Sequence, residues 1–114
     1  MSKVQVIHLH QWHTCHHIAM AYILILSPQA VSVLKALERD PKKHRKVIRC
    51  LALIEESPQY PGLHSHLYDA IKGSLGERIW ESYVENNTPS AWRVWWFYGP
   101  GDDRITIYSI GPHP

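Results

Sequence analysis

The residues best suited to chemistry in this chain are its histidines and one arginine set among tryptophans. Histidine changes charge near neutral pH, with an unperturbed pKa of about 6.5, so it can give or take a proton under ordinary conditions. Nine histidines are present, and five of them (His8, His10, His13, His16 and His17) crowd the first twenty residues beside Cys15. Those are ligand types that zinc or nickel would take. Flexible histidine-rich leaders also bind such ions adventitiously, so the expectation is that no metal or other cofactor is required. The remaining candidates lie further along: His64, His66, Lys72, Arg78, Glu81, Tyr83, Arg93, Trp95 and His113.

Arg93 sits in the run Ala91–Tyr98 with Trp92, Val94, Trp95, Trp96 and Phe97. Side chains alternate along a strand, so Arg93 shares a face with Trp95 and Phe97, and Trp92, Val94 and Trp96 take the other. One face must cover the helices. The other is an aromatic surface carrying an arginine, whose fork suits phosphate oxygens. Alternatively, Arg93 pairs with Glu81 on the neighbouring strand and lays its aliphatic stem over a tryptophan. Both arrangements are open at this point.

The elements that must position these groups are legible from turn signals and periodicity. Tyr22–Leu26 is a continuous apolar run closed by Ser27-Pro28, the pattern of a buried strand. Ser27 is placed to cap a helix with Pro28 at its first position, and Asp40-Pro41 repeats the device for a second helix to about Glu56. Val47, Ile48, Leu51 and Ile54 form one stripe of that helix, while Lys42, Lys43, Arg45, Lys46 and Arg49 lie mostly on its wet side. Residues 57–76, rich in proline and glycine, are expected to be a loop packed onto the domain. Three strands then follow over Ile79–Glu85, Ala91–Tyr98 and Arg104–Ile110, joined by short turns and therefore antiparallel. The predicted fold is α+β: a strand, a helical hairpin and a three-stranded antiparallel meander.

Bulk properties narrow the class. A chain of 114 residues is the size of one domain. A hydrophobic fraction of 45% excludes a disordered chain, and a net charge of +2 is far from the excess of a dedicated nucleic-acid binder, though it leaves room for a local basic patch. Cys15 and Cys50 are too few and too far apart for a disulfide framework, which points to a reduced, cytoplasmic protein with Cys50 as a small buried hydrophobe. No apolar run approaches the roughly 20 residues that span a bilayer, so no membrane partner is expected.

The element order resembles the RelE/ParE toxin superfamily, and particular residues carry the likeness. Trp92-Arg93-Val94-Trp95-Trp96 resembles its aromatic-Arg-aliphatic-x-aromatic central strand. Ile107–His113 is similar to its last strand, which ends in a glycine followed by basic residues, and Pro61-Gly62-Leu63 through Trp80–Tyr83 resembles a subgroup of small toxin-like members. The likeness covers residues 21–114 as a RelE-like toxin domain. Residues 1–20 have no counterpart and are expected to be a disordered or non-native leader, with Met20 as the natural start.

The resemblance implies a type II toxin-antitoxin toxin that cuts mRNA on the ribosome and is silenced by a cognate antitoxin. In that chemistry the ribose 2′-hydroxyl attacks the adjacent phosphate, which requires a base, a cation and an acid. Carried over by position, Arg93 stabilises the phosphate, His113 is acid or base, and Glu81 or Tyr83 completes the catalytic set. Arg78, Lys72, Trp95, His64 and His66 are the implied substrate contacts. Glu81 and Tyr83 stand where the best-known members place lysines, so the alternative is a non-catalytic interaction protein such as a DNA gyrase inhibitor.

Overall fold

The computed structural model describes residues 5–7 and 21–114. Its elements run β1 (Gln5–Ile7), β2 (Ile23–Leu26), α1 (Pro28–Ala36), α2 (Pro41–Glu56), β3 (His66–Lys72), β4 (Arg78–Tyr83), β5 (Trp92–Tyr98) and β6 (Arg104–Pro112). Short 3-10 turns cover Leu37–Arg39 and Pro61–Leu63. The strands form one six-stranded sheet in the order β1-β2-β6-β5-β4-β3. β2 runs parallel to β6, and every other neighbouring pair is antiparallel.

The predicted strand, helical hairpin and antiparallel meander are all present, but the meander has a fourth member. Residues 66–72, expected to lie in a loop, form β3 at the edge of the sheet, paired with β4 among the described strands. The sequence HLYDAIK alternates poorly because an edge strand has little to bury, and most of it is exposed or half-exposed. Within the segment expected to be a leader, Gln5–Ile7 pairs antiparallel with Leu24–Leu26. The candidate metal ligands His8, His10, His13, Cys15, His16 and His17 lie outside the described residues.

Both helix starts follow from their capping residues. Ser27 Oγ accepts from the Ala30 N–H at 3.1 Å and Asp40 Oδ1 from the Lys43 N–H at 3.2 Å, with proline opening each helix. α1 is also bolted to β6. β2 stops pairing at Leu26↔Ile107, which would leave the rest of β6 with an open edge. Ser27 Oγ donates to the Tyr108 carbonyl, and the Gln29 amide both donates to the Ile110 carbonyl and accepts from the Ile110 N–H. Side chains of α1 thus supply the hydrogen bonds a further strand would have made.

The helices cover one sheet face. Leu24, Leu26, Val94, Trp96, Ile105, Ile107 and Ile110 of the strands pack with Ala30, Val47, Leu51 and Ile54. Ile107 and Ile110 share that face despite odd spacing, because the β5–β6 register slips between Trp95↔Ser109 and Trp96↔Ile107 and leaves Tyr108 as an extra residue. Cys50 is buried in the core, and burial pushes its thiol up to about 12, so it packs as an apolar group.

One buried polar chain crosses this core. Trp96 Nε1–H donates to Ser82 Oγ at 2.8 Å, Ser82 and Ser65 are 2.7 Å apart, and Ser65 Oγ donates to the Pro58 carbonyl at 2.7 Å. Ser65 spends its hydrogen on Pro58, so Ser82 donates to Ser65, and the relay fixes the segment His64–Ser65–His66 against β4. Ser82→Ala is expected to lower stability by about 1–3 kcal/mol by orphaning the indole N–H. Denaturant unfolding checks this; an unchanged midpoint would show the relay to be idle.

Candidate functional site

The opposite face of the sheet carries the candidate site. On β4 the alternation sends Trp80 and Ser82 to the core and turns Glu81 and Tyr83 the other way; on β5 it turns Arg93 and Trp95 with them. Register places Glu81 beside Trp95, Tyr83 beside Arg93 and His66 beside Glu81. The last residues of the chain reach the same place, because the His113 N–H donates to the Ala91 carbonyl at 2.9 Å.

Glu81 is the centre, with a side chain only 3% exposed. His66 Nε2 lies 2.9 Å and Arg93 Nε 3.9 Å from its Oε1, while Trp95 Nε1 donates to Oε2 at 2.9 Å and His113 Nε2 lies 3.4 Å from it. A buried carboxylate is costly to desolvate unless it is ringed by donors, and here it is. A bare carboxylate would repel a phosphate; here Arg93, Trp95 and two histidines surround it.

Hydrogen-bond geometry orients the two histidine rings. His66 Nδ1 is 2.8 Å from the His64 carbonyl, which only accepts, so Nδ1 carries a hydrogen. His113 is arranged alike, with Nδ1 3.0 Å from the Pro114 oxygen and Nε2 towards Glu81. The rings are 47% and 41% exposed. Each histidine is anchored by Nε2 on the buried carboxylate and turns Nδ1 to an exposed contact within two residues of itself, one that an incoming group can replace.

Arg93 is tied down rather than free. Its Nη1 donates to the carbonyls of Glu85 and Trp92, its guanidinium carbon lies 3.6 Å from the Tyr83 ring centre, and its side chain is 11% exposed. The pairing with Glu81 is the arrangement found, with a tyrosine under the arginine in place of a tryptophan. His64, in the left-handed region at φ 50°, sets its ring 5.0 Å from that of Tyr83. Of the expected residues, Arg93, His113, Glu81, Tyr83, Trp95, His64 and His66 converge. Lys72 and Arg78 do not: they oppose each other at the far end of the β3–β4 pair, and alternation from Trp80 puts Arg78 on the helix side.

Two contributors had no signal in the sequence. Tyr68 stands 5.9 Å from Trp95 and 6.2 Å from His113, ring centre to centre, and it escaped notice because β3 did. Glu85, past the end of β4, accepts from Lys43, Lys46 and the Trp92 N–H. Burial alone would raise its carboxyl, but those hydrogen bonds outweigh burial and hold it below the usual range. A carboxyl lowered on folding stabilises above the ordinary carboxylate pKa of about 4.3 and loses that contribution as pH falls through its folded value. Glu85→Gln is therefore expected to be less stable than the parent at pH 7, and the gap to close as pH drops below about 4. Thermal melts of both proteins across that range check it; a gap independent of pH would contradict it.

No family model matches this sequence, and no curated protein does. A solved structure does: the crystal structure of the archaeal RelE–RelB complex from Pyrococcus horikoshii OT3 matches with a TM-score of 0.58 at 17% identity, covering 82% of this chain and 96% of that one. The chain has the RelE fold. The match spans nearly the whole of that chain, in keeping with the element order. At that identity the fold is shared, and the side chains on the sheet must be judged on their own geometry. Among the described residues no helix is long and apolar enough to cross a membrane.

Proposed function

We propose that this RelE-fold protein is a cytoplasmic toxin of a type II toxin-antitoxin pair, acting as an endoribonuclease on ribosome-bound mRNA and silenced by a cognate antitoxin protein. The observation that carries the reading is the pair of half-exposed histidines braced on one buried carboxylate. Cleavage by a neighbouring 2′-hydroxyl needs a base to take its proton and an acid to protonate the departing 5′-oxygen. His66 and His113 supply those roles through their outward Nδ1 atoms. The acid gives its Nδ1 hydrogen to the 5′-oxygen; the base takes the 2′-hydroxyl proton at Nδ1 once its own ring hydrogen lies on Nε2, towards Glu81, and Glu81 orients both rings. Arg93 serves as an internal counter-ion to Glu81, so the buried carboxylate does not repel the phosphate. Purified protein added to translating ribosomes should cut mRNA, and induction without antitoxin should halt growth. Intact mRNA and unimpeded growth would sink the proposal.

The locking of Arg93 favours a second reading, a non-catalytic RelE/ParE-like interaction protein such as an inhibitor of DNA gyrase. It predicts accumulation of cleaved gyrase–DNA complexes with no effect of His66→Ala, the reverse of the pattern expected for a nuclease.

A further inference from the structure

A groove beside this site has the chemistry of a nucleotide subsite. Five of the twelve Lys and Arg residues of the chain lie on α2 between positions 42 and 49. Lys43 and Lys46 share one carboxylate, that of Glu85, at 3.0 and 3.2 Å. Arg49, one turn beyond Lys46, has no acidic partner among the described residues. Lys46 and Arg49 border a groove of about 200 Å³ whose other walls include Tyr60, Leu63, Tyr83 and Val84. That is below the ~300 Å³ lower limit of ordinary small-molecule pockets, so it suits a single base better than a whole metabolite.

Tyr60 is the unusual wall. It is 44% exposed, yet its ring lies so close to Gly62 that a Cβ there would come within 2.7 Å of a ring carbon. Glycine at 62 thus lets the backbone bed the ring, which holds an aromatic surface in place at the water's edge. Cations next to a held aromatic ring are the combination that binds single-stranded nucleic acid, phosphate on the charge and base on the ring. Tyr83 joins the groove to the site, since its ring also bears Arg93 and neighbours His64.

We propose that this groove binds one nucleotide of a single-stranded RNA, its base stacked on Tyr60 and its phosphate held by Arg49 and Lys46, and so leads the strand past Tyr83 to the histidine–carboxylate centre. The inference rests on the nuclease reading above and adds where the strand enters. An acidic peptide would use the two cations and leave Tyr60 idle, which separates the two ligands experimentally.

The test is fluorescence anisotropy of the full chain with a short 2′-O-methyl oligoribonucleotide, which binds without being cut. Tyr60→Ala should weaken binding about tenfold, the scale of one lost base stack, and Tyr60→Phe should restore it. Arg49→Gln should weaken binding and make the salt dependence shallower by about 0.7 in log–log slope. Affinity unchanged in Tyr60→Ala, or binding in which only the charge substitution matters and polyglutamate competes fully, would overturn the proposal. Ribosomal cleavage by the same variants separates it from the reading it rests on. Cleavage with KM unaltered by Tyr60→Ala and Arg49→Gln removes the groove and leaves the nuclease. Tyr60-dependent binding without any cleavage removes the nuclease and leaves the groove.

Discussion

Glu81→Ala is expected to lower stability by about 3–5 kcal/mol, a melting-temperature drop of roughly 12 °C or more. Three effects add. The Arg93 guanidinium, already without a hydrogen-bond partner for its Nε, loses the carboxylate 3.9 Å away. The buried Trp95 indole N–H loses its acceptor. His66 and His113 lose the group that anchors them. Glu81→Gln should be much milder, at about 1–2 kcal/mol. Its amide oxygen still accepts from Trp95, and its amide N–H₂ can donate to a neutral His66 whose Nδ1 keeps the hydrogen. The two variants together distinguish a charge-centred cluster from simple packing. Equal losses in both would mean that the negative charge, which both variants remove, carries the whole effect, and that the volume and hydrogen bonds glutamine keeps contribute nothing.

The parts of this fold that were legible in the sequence are those with strong local chemistry. Ser27-Pro28 and Asp40-Pro41 announced both helix starts, and the caps are in place. The tryptophan run announced β5, and strand alternation placed Arg93 with Trp95 and away from Trp96, as found. What escaped was non-local. β3 is an edge strand with little to bury, so its sequence carries no clean period, and its recognition depends on β4 being beside it. The clustering of His66, Glu81 and His113 joins residues 47 apart in the chain at its widest, through sheet register and a terminal backbone bond that no spacing rule predicts. Lys72 and Arg78 illustrate the converse: residue types suited to phosphate lie at the far end of the β3–β4 pair, and alternation turns Arg78 to the helix side.

The histidine pair carries the other large expected effect. On the nuclease reading, His66→Ala and His113→Ala should each lower the rate of mRNA cleavage by about 10²–10⁴-fold, the usual yield of a positioned acid or base. His66→Ala should also lower stability by about 1–3 kcal/mol, because it strips the 2.9 Å donor from a buried carboxylate oxygen, whereas His113→Ala, whose 3.4 Å contact is to the oxygen that Trp95 still holds, should cost under about 1 kcal/mol. The double variant should be little slower than the worse single one, since residues that act as a unit are not additive. Arg93→Ala should behave differently. An arginine that chiefly balances a buried carboxylate should lower stability and activity together, whereas one that chiefly grips phosphate should lower activity alone. Measuring cleavage and melting temperature on the same preparations resolves the roles. If the histidine variants cleave within twofold of the parent while Arg93→Ala is inactive but equally stable, the acid–base pair is misassigned and catalysis belongs to the arginine.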